Sequence, residues 1–212
     1  MSRGGGSIPP EAFEKLLEAE SLRSGLPLLS GQLAPLSRYL AELDAWRRRI
    51  NLTGDLAPEE LAIHALESTA GAPLISQGAR LLDIGSGGGF PGVPIAIVRP
   101  DVSVTLLEPR HKRASFLRHV VRAVPVENAT VLGERVESLA GERFDVATVR
   151  AVGDIAEIID GAAFLSSRGL LLAWTTEAEA LAASLSARFA LERSQALPGS
   201  HRRVIAVLRN AL

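Results

Sequence analysis

The run Leu81-Leu82-Asp83-Ile84-Gly85-Ser86-Gly87-Gly88-Gly89-Phe90-Pro91-Gly92 decides the fold. A short apolar segment feeding a glycine-dense turn is how bare backbone is brought against a nucleotide-like ligand. The dinucleotide fingerprint G-x-G-x-x-G needs a third glycine where this chain has Phe90, and its glycines fall instead at Gly85, Gly87 and Gly89. An acid that grips a ribose should close the next strand about 20 residues further on. Val104-Thr105-Leu106-Leu107-Glu108 supplies it. A strand before the glycines and an acid after them argue against a plain tight turn with no ligand.

Working outward, the pattern from residue 79 alternates strand and helix. Strands are predicted near 79 to 84, 103 to 108, 129 to 132, 144 to 149 and 169 to 175. Helices are predicted over 91 to 99, 110 to 124, 154 to 165 and 177 to 188. Two late strands, 191 to 197 and 203 to 208, read as a hairpin-like pair at the sheet edge. Such alternation implies an α/β fold with a mostly parallel, doubly wound sheet. Upstream, apolar residues at helical spacing (Phe13, Leu16, Leu17, then Leu33, Leu36, Leu40, Leu43, Trp46) predict helices over 11 to 23 and 30 to 50. Pro58-Glu59-Glu60 starts a third, running to Thr69. The expected organisation is a loose tail over 1 to 10, a helical subdomain over 11 to 78 and a ligand-binding domain over 79 to 212.

A chain of 212 residues with 47% hydrophobic and 22% charged residues can bury a full core. Residues 1 to 10 lack a secretory apolar region and no later run is long enough to span a bilayer, so a soluble, cytoplasmic protein is expected. The absence of cysteine excludes disulfides, thiolate metal sites, a cysteine nucleophile and a radical iron–sulfur centre. No metal is expected, and a monomer is. A net charge of −1 gives no long-range pull on a polyanion. Any nucleic-acid contact must be a local patch, for which Arg47-Arg48-Arg49 and the run Arg110, His111, Lys112, Arg113, Arg118, His119 and Arg122 are the candidates. A solvated helix face is the alternative for each.

The G-x-G-x-G loop behind Asp83 resembles the first motif of class I S-adenosylmethionine methyltransferases. More specifically, several segments resemble the RsmG (GidB) family of bacterial 16S rRNA guanine-N7 methyltransferases in order and spacing. They are Asn51-Leu52-Thr53, the His64 segment, Asp83 through Pro94, Lys112-Arg113, Arg135-Val136-Glu137 and Arg150-Ala151. The match runs from about residue 38 to 209. The resemblance implies a Rossmann-like methyltransferase fold, S-adenosylmethionine as cofactor, and 16S rRNA or a small-subunit precursor as partner. It assigns cofactor contacts to Gly85, Phe90, Val136, Glu137 and Arg150, and the general architecture adds Ser86, Gly87, Gly89 and Glu108. Arg110, Lys112, Arg113, Arg202 and Arg203 are the expected RNA contacts. Four positions depart from the family pattern: Thr175 stands where a lysine is common, Arg203 for a histidine, Ile63 for an arginine and Glu67 for an aspartate.

Guanine N7 offers a free lone pair on the major-groove edge, so the enzyme's task is alignment and no base is required. The tetrad that amino-methylating enzymes place after the fourth strand is absent, and that position reads Thr148-Val149-Arg150-Ala151. Arg150 is the candidate for orienting substrate or cofactor, with a salt bridge at the sheet end as the structural alternative. His64 reads as a packing residue rather than a catalytic one, and so does Trp46. Trp174 stands open between base stacking and the core. Glu137 is expected beside adenine, with backbone N–H groups reading the ring, or else as a loop cap. Three rival functions follow. They are a small-molecule methyltransferase, a cofactor-binding module without catalysis, and an NAD-dependent oxidoreductase, against which Phe90 already argues.

Overall fold

The computed structural model describes residues 7–151, 155–160, 164–185, 187–200 and 202–211. Its seven-stranded sheet has the order β3-β2-β1-β4-β5-β7-β6. The strands are β1 Arg80–Ile84, β2 Ser103–Leu107, β3 Ala129–Leu132, β4 Phe144–Arg150, β5 Leu165–Thr175, β6 Phe189–Ala196 and β7 Val204–Asn210. β3, β2, β1, β4 and β5 pair in parallel, β7 is antiparallel to both β5 and β6, and β7 is thus the one reversed strand of the seven. The late pair is therefore a hairpin, with β7 inserted beside β5 and β6 left at the edge. Along each strand alternate side chains enter opposite cores. Leu81 and Leu172 pack toward one face, and Leu82, Leu171 and Ala173 toward the other.

The helices are α1 Pro10–Ser24, α2 Ser30–Arg47, α3 Pro58–Thr69, α4 Gly92–Val98, α5 His111–Ala123, α6 Ile155–Asp160 and α7 Ala178–Ser184. Prolines set the first turns of α1 and α3, and Gly25 at φ 68° ends α1 in the left-handed conformation. Two expectations about the first 78 residues change. Part of the stretch expected to be loose is tied down: the Ile8 amide donates to Asp44 Oδ2 at 3.1 Å, and Pro10 opens α1; residues 1–6 lie outside the described residues. The boundary at 78 also does not divide the core. Phe13, Leu36 and Leu61 join Leu81, Leu106, Phe116 and Trp174 in one buried cluster.

A third difference lies after β4. Of the helix expected over 154 to 165, Ile155–Asp160 is helical, and Leu165 instead opens β5 opposite Phe144; positions 154 and 161–163 of that stretch lie outside the described residues. The pairing register shifts between Phe144 and Val146, and Arg168 sits at φ 62°. That irregularity admits extra residues before Gly169 and starts the strand earlier than its apolar run suggests. The helix expected over 177 to 188 is likewise shorter, at Ala178–Ser184.

Candidate active site

The glycine loop leaves β1 with two sides. Gly85 and Gly87, at φ 69° and 52°, line cavities at the strand ends. Gly88 also borders the second of these cavities, but the space a side chain would need at Gly88 and Gly89 is taken by protein. A Cβ on Gly88 would lie 3.1 Å from Thr53 Cγ2, and one on Gly89 would lie 2.9 Å from the Tyr39 hydroxyl, which donates to the Gly88 carbonyl at 2.7 Å. Gly89 therefore lets the loop close against α2 and borders neither cavity, which differs from the cofactor contact expected of it. Gly92 has a similar reason: a Cβ there would meet Leu106 at 2.4 Å and Asp83 Oδ2 at 2.6 Å.

Asp83 is fully buried beneath that approach. Its register partner on β4 is Thr148, whose hydroxyl donates to Asp83 Oδ1 at 2.7 Å. Burial pushes the Asp83 carboxyl up to about 7, against the opposing pull of the Thr148, Ser86 and Gly92 donors. Ser86 is buried too, its hydroxyl donating to the Asp83 carbonyl at 2.9 Å. Asp83 thus braces β1, β4 and the start of α4.

Glu108 closes β2 with its carboxylate at the first cavity. Oε2 accepts from the Gly87 amide at 3.0 Å and Oε1 from the Arg110 amide at 2.8 Å. Each carboxylate oxygen has two acceptor sites, so one on each stays available to a hydroxyl. This cavity, about 250 Å³, has apolar walls from Ile84, Leu107, Val136 and Ile158, with Glu137, Arg110 and Arg113 at its polar margin. Val136 and Glu137 lie on a single helical turn, Val136–Leu139, which Arg135 precedes in extended backbone without a side-chain cap. Gly85, Pro109, Glu134, Arg135 and Ala151 complete the lining. Only the glycines and the acid carried a spacing signal for it.

A second cavity of about 180 Å³ shares Gly85, Arg113 and Ala151 with the first, continues along the loop through Ser86, Gly87 and Gly88, and adds Leu52, Thr53, Leu56, His64, Phe90 and Arg150. Arg150, at the end of β4, donates to Glu67 at 3.1 Å and to the His64 carbonyl at 3.3 Å, so its salt bridge and its place at the cavity coexist. Phe90 lies under the same guanidinium, 5.9 Å away, and edge-on to His64. Burial, then the charges of Arg150 and Arg203, push His64 down to about 3. It is neutral at physiological pH. Leu52, Thr53 and Leu56 come from the loop after α2; the first two belong to a motif of the family resemblance to which no role was attached, and Leu56 carried no signal.

Glu67 gathers this end of the sheet. Besides Arg150 it pairs with Arg203 at 2.8 Å, and its carbonyl accepts from Trp174 Nε1 at 2.8 Å. Burial raises the Glu67 carboxyl, with the two guanidiniums pulling against it. Trp174 is buried against Gly71 and belongs to the core. Thr175, one residue on, points to the other face, and its hydroxyl accepts the Glu177 amide at 3.0 Å. Of the expected RNA contacts, Arg110 and Arg113 border the cavities, and Arg113 also donates to the Asn51 carbonyl at 3.2 Å. Lys112 and Arg202 are exposed outside both, and Arg203 is committed to Glu67.

Residues 32–203 match the family described as rRNA small subunit methyltransferase G. Among curated relatives, ribosomal RNA small subunit methyltransferase G of Laribacter hongkongensis is 44% identical over 145 residues, covering 68% of this chain and 70% of that protein. The protein of the same name from Sorangium cellulosum is 43% identical over 173 residues, 77% of this chain and 71% of that one. Among solved structures, the ribosomal protein L11 methylase from Lactobacillus delbrueckii subsp. bulgaricus superposes with a TM-score of 0.58 at 9% identity, covering 70% of this chain and 79% of that one. That likeness speaks for the fold, which is the Rossmann-like one of class I methyltransferases. On sequence and architecture together, the chain belongs to the rRNA small subunit methyltransferase G family of methyltransferases.

Proposed function

We propose that this enzyme moves the methyl group of S-adenosylmethionine to N7 of a guanine in 16S rRNA. The cofactor fits the residues present. Glu108 has spare acceptor sites for ribose hydroxyls, and the apolar walls of the first cavity suit a flat ring beside Val136 and Glu137. Gly85 and Gly87 give the backbone approach between the two cavities. When bound, the cofactor would supply a methyl carbon already activated by its sulfonium, with the neutral thioether as the leaving group when N7 takes the methyl.

The chain's own residues supply alignment. Arg150 and Phe90 form the wall where a guanine edge and face would rest, a guanidinium donating to the O6 acceptor. Glu67 and the His64 carbonyl fix the angle of Arg150. The carrying observation is geometric: the Gly85–Gly87 loop braced by Glu108 opens directly onto the cavity walled by Arg150 and Phe90. His64, the imidazole of that cavity, is packed edge-on to Phe90, and burial lowers its basicity. Methylation at N7 removes no proton, so such a site needs no base.

The test is methylation of 16S rRNA taken from cells lacking the protein, followed by mapping of the modified base. One 7-methylguanosine is expected. A methyl group on an exocyclic amine, or transfer only to small molecules, would overturn the reading.

A further inference from the structure

Beside the active site, where α2 runs out and α5 begins, lies a separate cleft of about 330 Å³ lined by Trp46, Arg49, Ile50, His111, Lys112 and Ser115. Its walls are mainly the Trp46 ring, Ile50 and the stems of the two cations. Trp46 is held from behind by Phe116 and His119, with ring centroids 5.7 and 5.2 Å away. The lining contains no acid. The nearest acids in sequence are already engaged: Asp44 with Arg47 and Arg48, and Glu42 with His119 at 2.6 Å. Arg49 and Lys112 are exposed and form no ion pair among the described residues.

We infer that this cleft is a second nucleotide subsite: an RNA base beside the methylated one stacks on Trp46 while Arg49 and Lys112 hold its phosphates. The inference rests on RNA being the substrate. An aromatic floor with a cationic, acid-free rim is the combination that binds single-stranded nucleic acid, because every base has a stacking face and every linkage a charge. Position favours the same occupant. Ile50 and Lys112 each precede a residue of the Asn51–Arg113 bridge, and Arg113 borders both active-site cavities. One step along the chain on either side of that bridge separates the two places, so a strand entering the second cavity passes over the cleft. His111 and Lys112 lie in the first turn of α5, whose N-cap Arg110 makes no side-chain cap hydrogen bond, and the positive end of that helix favours an anion nearby.

The probes are a single-stranded hexa-adenylate and an abasic hexamer of equal charge, titrated into the full-length protein while tryptophan fluorescence is read. Trp174 is buried, so a stacked base quenches Trp46. The hexa-adenylate is expected to quench and the abasic strand not, with the quench absent in Trp46→Phe. Because Trp46 also packs on Phe116, the surface pair Arg49→Ser/Lys112→Ser is the second arm. It should weaken hexa-adenylate binding about tenfold and lower the slope of log affinity against log salt by about 0.7 for each cation removed. Equal quenching by both strands, or an unchanged affinity and slope in the double variant, overturns the subsite. Methylation of 16S rRNA by the wild-type protein is scored separately, so a failed subsite and a failed substrate assignment give different results.

Discussion

Glu108 shows how much a single carboxylate can organise. Both its oxygens accept a backbone N–H, from Gly87 and from Arg110, and this fixes the glycine loop relative to the first turn of α5. Glu108→Gln keeps the shape but turns one acceptor into an NH₂ facing an N–H. Losing a charge-assisted bond of about 1.5–3 kcal/mol should weaken S-adenosylmethionine binding by about 10- to 100-fold in titration calorimetry. An unchanged affinity would remove Glu108 from the ribose site. Asp83 makes a different prediction. Its folded value of about 7 stands above the ordinary 3.8, so between those values the folded state holds a proton that the unfolded chain has released. Stability contributed at low pH is therefore lost as pH rises through that window. Asp83→Asn removes the loss, and its melting temperature relative to wild type should be higher at pH 8 than at pH 5. A difference that is flat with pH would show the carboxyl to be ordinary. The spacing of Gly85, Gly87 and Glu108 made the first cavity legible because those residues act through chain geometry. Gly88, Gly89 and Gly92 looked equivalent in sequence, yet their neighbours are Thr53, Tyr39 and Asp83, and two of those three lie far along the chain.

At the scale of elements, α3 is the strut that ties the strand ends together. Arg150 on β4 and Trp174 on β5 are register partners on one face, and Arg203 sits just before β7; all three meet Glu67. Arg150 and Glu67 have side chains only 12% and 3% exposed, whereas Arg203 is 38% exposed. Breaking the buried pair should dominate. Glu67→Ala is expected to cost about 3 kcal/mol, because it leaves a guanidinium in a poorly solvated place. Arg203→Ala should cost about 1 kcal/mol or less, since water screens that partner. Urea melts of the two variants check the order, and equal losses would contradict it. The start of α3 could be read from Pro58 and its following acids. What Glu67 does could not, since nothing local marks a glutamate on a helix as the partner of two arginines more than eighty residues away. The end of α6 was misread for a related reason. Phe164 and Leu165 are apolar in either a helix or a strand, and pairing with Phe144 on β4 settles the choice.

For the whole molecule, the sheet's two faces carry separate buried clusters, and the N-terminal helices supply much of one of them. α1 packs on α2 and α3, α2 on α4 and α5, and α3 on α4, so the first three helices reach the sheet through the helices that flank the active site. Phe13 and Leu17 are as inaccessible as Leu81 and Leu82 of β1. A cluster continuous from Phe13 to Trp174 should unfold as one unit. Phe13→Ala, which removes a large ring from close-packed surroundings, is expected to cost about 3–5 kcal/mol. Far-UV circular dichroism and tryptophan fluorescence should then shift together to the same lower urea midpoint, with an unchanged m-value. A biphasic curve in which only one phase moves would instead divide the chain near residue 78 and make the helices a separable unit. The coupling has a functional corollary, because the N-terminal segment that completes the core also presents Leu52, Thr53 and Leu56, from the loop after α2, and His64, from α3, to the second cavity. A core defect at Phe13 should therefore lower the fraction of active enzyme in proportion to unfolding, while the molecules that stay folded bind S-adenosylmethionine as before.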